Sequence, residues 1–170
     1  MRRLFFALWP TPATRSACAA VCKQLAGCGK PVATHNLHIT LLFLGKVNAK
    51  QQAEVTQEAA KLKDIPTELV LDRLDFWEKP KVLCLTASGF DPNFLRFHTE
   101  LAGIADRSGI ITDCRPYKPH ATLTKKARCK PEVNITPVLW QSNGFCLTES
   151  LQTPSGVEYR IVERWHDINA

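Results

Sequence analysis

Two histidines in this chain are each followed two residues later by a threonine, in His38-Ile39-Thr40-Leu41 and in His120-Ala121-Thr122-Leu123. Both patterns sit in runs that read as strands, Asn36 to Gly45 and Lys118 to Lys125. Side chains alternate faces along a strand, so each imidazole shares a face with its threonine hydroxyl. A lone strand histidine is usually structural, but a second copy of the pattern asks for a common reason. Imidazole titrates at about pH 6.5, so a pair can hold one neutral and one protonated ring. The neutral ring can take a proton from an attacking oxygen, and the protonated ring can give one to a leaving oxygen. In-line displacement at phosphorus needs these two acts on opposite sides of the phosphorus. Each is worth about 10²- to 10⁴-fold in rate. Hydroxyls of Thr40 and Thr122 can donate to the non-bridging oxygens, where charge builds in the transition state. Lys125, beside the second pattern, adds positive charge for the same phosphate. This chemistry needs no metal and no cofactor, and none is expected.

The elements that must carry these groups are legible in outline. Residues 2–9 read as a largely buried strand. Thr11 can cap a helix with Pro12 at its first position, running to about Ala26 with Ala17, Val21 and Leu25 inward. After the His38 strand, which Gly45 is expected to end, Asn48 and Gln51 form a capping-box pattern for a second helix. Thr67 to Trp77 alternates as one strand, turns at Glu78-Lys79-Pro80-Lys81, and returns as Val82 to Ala87. Asp91-Pro92 opens the clearest helix, with Phe94, Phe97, Leu101, Ile104 and Ala105 at helical spacing and Gly109 as its stop. His98 lies in that helix and reads as a packing residue. Lys125 to Pro137 is a basic loop, and Phe145 to Leu151 and Val157 to Trp165 form a last pair of strands. No linker divides the chain. The order predicts one α+β domain over residues 1–170, with two pseudo-symmetric lobes, each an antiparallel sheet packed with helices, around a central cleft.

Composition narrows the classes. The chain has 170 residues, 45% of them apolar, enough for a real core. A net charge of +6 favours an anionic partner, nucleic acid first among them. The 7 cysteines show no Cys-x-x-Cys spacing and no regular framework, which predicts free thiols in a reducing compartment. A zinc site from Cys18, Cys22, Cys28 and His35 fits the usual ligand spacing poorly. Met1-Arg2-Arg3 followed by six apolar residues resembles a secretory leader. Its apolar stretch is too short, however, and Pro10 and Pro12 break the run directly after Trp9. A strand leading into a capped helix explains the same residues, so a cytoplasmic protein is expected. No apolar run is long enough to span a bilayer.

With both patterns in hand, the chain resembles the two-histidine phosphoesterase superfamily, whose hallmark is a pair of His-x-Thr/Ser motifs. Within it the chain looks most like the RNA 2′,3′-cyclic phosphodiesterase branch, also called 2′-5′ RNA ligase. The similarity extends from Arg3-Leu4-Phe5-Phe6-Ala7, through Asn36 to Leu41 with Phe43-Leu44-Gly45 and Pro119 to Leu123, to Leu147-Thr148-Glu149-Ser150, Tyr159 and Trp165. The resemblance implies a bilobal fold with a basic cleft. It implies metal-independent opening of a 2′,3′-cyclic phosphate on RNA to a 2′-phosphate, with O3′ leaving. It also implies reversible 2′-5′ ligation by the same chemistry, with a 5′-hydroxyl as nucleophile. In one departure, Lys125 stands where family members often carry Arg, which keeps the charge but loses the bidentate fork. Lys126 and Arg128 are candidates to compensate.

Phe43 and Trp77 are candidate platforms for nucleobase stacking, against core packing as the competing reading for each. Arg115, Lys118, Lys125, Lys126, Arg128 and Lys130 cluster around the second motif, as an RNA-facing rim or a solvated basic loop. His35 and His166 receive no role. The expected partner is RNA with a cyclic phosphate end, with no membrane, and the expected state is a monomer. Two alternatives stand beside the RNA enzyme: a phosphodiesterase of small cyclic phosphates, and a non-catalytic RNA- or nucleotide-binding module of the same fold.

Overall fold

The computed structural model describes residues 1–166. In chain order the elements are β1 (Arg2–Leu8), α1 (Pro12–Gln24), β2 (Lys30–Pro31), a 3₁₀ turn (Thr34–Asn36), β3 (Ile39–Val47), α2 (Ala49–Ala59), β4 (Glu68–Leu71) and β5 (Arg73–Trp77). They continue with β6 (Val82–Thr86), α3 (Asn93–Arg107), β7 (His120–Lys125), β8 (Val138–Gln141), β9 (Phe145–Thr153) and β10 (Gly156–Trp165). The class is α+β, and the main sheet is antiparallel, in the order β10-β9-β1-β3-β7-β6-β5 with β2 added on β7. It consists of two half-sheets. β3 of one meets β7 of the other through a single residue pair, Ile39 opposite Ala121.

Alternation gives the sheet two unlike faces. Leu4, Phe6, Leu8, Ile39, Leu41, Leu83, Leu85, Ala121 and Leu123 point into one large core shared with the helices. α3 contributes Phe94, Phe97, Leu101, Ile104 and Ala105, all buried, as its spacing predicts. Burying each of the larger side chains stabilises the fold by about 1.5–3 kcal/mol. The opposite face holds a small cluster of Phe5, Ala7 and Cys146, with Trp9, Tyr159 and Ile161 against it. The two His-x-Thr patterns lie on this second face.

Helix starts follow the expected chemistry. Thr11 caps α1 by accepting from the Thr14 amide, and Asn48 with Gln51 makes a full capping box on α2. α1 buries Thr14, Cys18 and Val21, while Ala17 is only partly covered. The shift follows from β8, which the sequence pattern did not reveal. The Thr14 hydroxyl donates to the Leu139 carbonyl and accepts from the Gln141 amide at 3.0 Å, pinning α1 to that strand.

Two further expectations are corrected. Thr67 to Trp77 is not one strand. β4 pairs with β8 in a separate two-stranded sheet, while β5 pairs with β6. At the break, the Asp72 carboxylate accepts from the Ser88 amide and hydroxyl, which redirects the chain between sheets. Gly45 does not end its strand either. β3 continues to Val47, and Gly45 (φ +73°) lies at a bulge where pairing with β1 shifts by one residue. All 7 cysteines are free, with Cys114 and Cys129 exposed. Among the described residues no helix is long and apolar enough to cross a membrane.

Candidate active site

His38 immediately precedes β3, and His120 is the first residue of β7. The antiparallel register about the Ile39–Ala121 pair sets Thr40 across from His120 and His38 across from Thr122. Ile39 and Ala121 point into the core, so these four side chains share the other face. The two rings are held in the same way. His38 Nδ1 lies 2.7 Å from the carbonyl of Asn36, and His120 Nδ1 lies 2.8 Å from the carbonyl of Lys118. In each case the acceptor belongs to the residue two positions back. A carbonyl can only accept, so each Nδ1 carries the hydrogen, and Nε2 is the atom that gains or loses the second proton. The two motifs therefore present two free Nε2 atoms, one on each side of the seam between the half-sheets.

Their surroundings differ. His38 stacks on Trp9 at 5.4 Å between ring centroids and 9° between planes, with Tyr159 edge-on at 4.9 Å and Phe5 at 5.1 Å. Burial pushes the His38 imidazole down to about 4; the Asn36 bond opposes this, and the charges on His120 and Lys125 add to it. His120 has one aromatic neighbour, Trp77, at 4.5 Å. Burial also pulls the His120 imidazole below its ordinary value, opposed by its carbonyl bond and reinforced by the Lys118 ammonium. Lys118 is tied to Asp75 at 3.2 Å and lies over Trp77. Asp75 in turn accepts from the Thr86 hydroxyl at 2.7 Å.

Cations and hydroxyls converge on the His38 side. Arg3, His38, Thr40, Lys125, Ser150 and Tyr159 line one recess of about 250 Å³. Arg3 also lies over the Phe43 ring, 4.8 Å from its centroid. Thr122 is on the other strand, with the Cys84 sulfur 3.6 Å from its hydroxyl. Burial lifts the Cys84 thiol to about 11, so it stays protonated and neutral. Lys126 and Arg128 do not join Lys125. They line a separate recess with Lys79 and Lys81, so the second cation in the Lys125 recess is Arg3 instead.

A second cavity, about 360 Å³, opens on the His120 side between Thr40, Phe43, Trp77, Tyr117, Lys118 and His98. Phe43 is 40% exposed at the lip between the two recesses and is not a core residue. Trp77 is half-buried in the wall, and Arg115 and Lys118 sit at the cavity's edge. His98 packs α3 onto β3, as its helical position suggests, through a 2.7 Å bond from Nδ1 to the Leu41 carbonyl. His35 is exposed on the 3₁₀ turn, and His166 bonds the Asn143 carbonyl.

Sequence reasoning did not single out Arg3, Trp9, Tyr159, Ser150 or His98 as site residues. Their signal was weak because β1, β10 and α3 reach the site only through pairing and packing. For Arg3 and Tyr159 the usable clue was alternation: each shares the cleft face with the small apolar cluster rather than the main core.

Known proteins are similar to this chain in both sequence and fold. Residues 8–84 match the family model described as LigT like Phosphoesterase. An RNA 2′,3′-cyclic phosphodiesterase of Escherichia coli strain K12 is 33% identical over 141 residues, covering 81% of this chain and 79% of that protein. One of the same name from Thermus thermophilus is 33% identical, covering 80% of this chain and 74% of its own. The crystal structure of E. coli LigT complexed with 3′-AMP superposes with a TM-score of 0.87 at 28% identity, covering 98% of each chain.

Proposed function

The chain belongs to the LigT-like phosphoesterases, in the company of the RNA 2′,3′-cyclic phosphodiesterases, and from that premise we propose what its cleft does. It is a cyclic phosphodiesterase that opens 2′,3′-cyclic phosphate ends of RNA. The cyclic phosphate sits over the seam, between Nε2 of His38 and Nε2 of His120. One neutral imidazole takes the proton of the attacking water. The other, protonated, delivers its proton to O3′ as the P–O3′ bond breaks, leaving the phosphate on O2′. Thr40 and Thr122 donate to the non-bridging oxygens, and Lys125 with Arg3 offsets the charge that grows there. With a 5′-hydroxyl in place of water as the nucleophile, the same step joins RNA ends through a 2′-5′ bond, and its reverse cleaves that bond to re-form the cyclic phosphate.

One observation carries this reading. Two imidazoles from distant parts of the chain flank a single rung of sheet, each held by the same Nδ1–carbonyl bond with Nε2 free. Every group in the scheme comes from one chain, which supports a monomer of a single bilobal domain as the working unit. Seven free thiols favour a reducing compartment and hence the cytoplasm.

The test is incubation of an RNA oligomer ending in a 2′,3′-cyclic phosphate with the protein in EDTA. The expected product carries a 2′-phosphate. A 3′-phosphate, or no product unless metal is added, would refute the scheme.

A further inference from the structure

Beside His120 the seam opens into the cavity of about 360 Å³, and its floor is a stacked pair of rings. His98 from α3 lies on Tyr117 with 4.5 Å between centroids and 10° between planes. Each ring spends one polar atom on the β3 backbone. The Tyr117 hydroxyl donates to the Thr40 carbonyl at 3.1 Å, and His98 Nδ1 to the Leu41 carbonyl at 2.7 Å. These carbonyls come just after Ile39, the one residue of β3 that pairs with β7, so side chains replace the missing ladder there.

The bond to Leu41 fixes the hydrogen on Nδ1 of His98. Nε2 has no partner among the described residues, and in the neutral ring it is an acceptor. The nearby cations are already engaged, Arg115 with Asp113 at 2.6 Å and Lys118 with Asp75 at 3.2 Å. Phe43 and Trp77 stand at the walls. The volume is in the range of small-ligand sites, and aromatic walls and floor suit a flat heteroaromatic ring. The nitrogen left uncommitted on the floor is an acceptor.

We propose that this cavity holds the nucleobase of the terminal, cyclic-phosphate-bearing nucleotide, and that His98 Nε2 accepts a hydrogen bond from its exocyclic amino group. Cytosine or adenine is then favoured over uracil. This rests on the phosphodiesterase reading and names the nucleotide feature that the site reads. His98, which does no proton transfer in the scheme, becomes its specificity-determining residue.

Cytidine and uridine 2′,3′-cyclic phosphates are nearly the same size and differ at position 4, amino in one and oxo in the other, and at N3, bare in one and bearing a hydrogen in the other. The ratio of their kcat/KM values reads the Watson–Crick edge, and an analogue dimethylated on the amino group isolates the amino contact. The protein is expected to favour cytidine about three- to tenfold, the worth of one neutral hydrogen bond. His98→Phe keeps a flat ring over Tyr117 and is expected to bring the ratio to about one. Because that variant also frees the Leu41 carbonyl, a melting curve checks that it folds. The contact is probed in the unaltered protein as well, with N4,N4-dimethylcytidine 2′,3′-cyclic phosphate, which has no amino hydrogen to donate. Its turnover is expected to fall to the level of uridine. An unchanged ratio in folded His98→Phe, or a dimethylated substrate opened as fast as cytidine, overturns the proposal. So does a base preference that appears only at the penultimate position of a dinucleotide. Failure of the unaltered protein to open any of these phosphates would instead sink the phosphodiesterase reading.

Discussion

Around His38 the chain packs Phe5, Trp9 and Tyr159; around His120 it places Trp77 and the Lys118–Asp75 pair. The backbone device is the same in both halves, an Nδ1–carbonyl bond to the residue two positions back. The walls are not. The aromatic wall disfavours charge on His38, and the more polar setting depresses His120 less severely. A fold can thus hold two histidines by the same backbone contact while making them electrostatically unequal. Local hydrogen bonds fix the tautomer, and neighbours from distant strands set the proton affinity.

The largest effects test whether both halves are needed. His38→Ala and His120→Ala are each expected to lower kcat on a cyclic-phosphate RNA by about 10²- to 10⁴-fold. Near-normal turnover in either variant would leave its half without a chemical role. The next contrast concerns the cations of the His38 side. Lys125→Ala and Arg3→Ala each remove a charge-assisted bond to phosphate in the proposed scheme, and each is expected to reduce kcat/KM by about 10- to 100-fold. Lys126→Ala, in a different recess, is expected to change kcat/KM by less than about twofold. A loss in Lys126→Ala equal to that of Lys125→Ala would contradict the assignment of recesses.

Acidity sharpens the comparison further. Both imidazoles lie below about 6.5 in the free protein, and one must arrive protonated. The kcat/KM profile is therefore expected to peak on the acid side of neutrality and to decline toward pH 8 as the singly protonated pair is depleted. A maximum above neutrality would show that the walls do not act as described. In Trp9→Ala, the His38 proton resonances are expected to titrate at higher pH than in the unaltered protein, while those of His120 move little.

The smallest expected effect is on stability. His38 binds its proton less readily folded than unfolded, so the unfolded state holds more protons between about pH 6.5 and 4 and stability falls as pH drops through that window. Glu149, held down to about 2 by the bonds from Arg2 and Arg160, adds a second loss below about pH 4.5. Melting temperature against pH is expected to show both declines, and His38→Phe to flatten only the first.

The features legible in the sequence were those written in consecutive residues: the His-x-Thr alternation, the Asn48–Gln51 capping box, and the apolar stripe of α3. What escaped was set by distant partners. Thr67 to Trp77 has unbroken strand character, yet the Asp72 carboxylate bonded to Ser88 splits it between two sheets. Arg3 looked like the charged start of an apolar segment, and only pairing with β3 and β9 brings it beside Lys125. Phe43 lies in an apolar run that suggests burial. It reaches the cleft lip because a bulge at Leu41, where the register with β1 shifts between Phe6 and Ala7, reverses the alternation and turns Phe43 to the face opposite Ile39.

The lone rung between Ile39 and Ala121 has a mechanical consequence. It lies almost at the two histidine rings, and the rest of each half-sheet extends away from it as a long arm. Any tilting of the arms would spread the outer ends of the groove by far more than it would alter the gap between the two rings. A wider groove at the periphery would then leave the spacing of His38 and His120 almost unchanged.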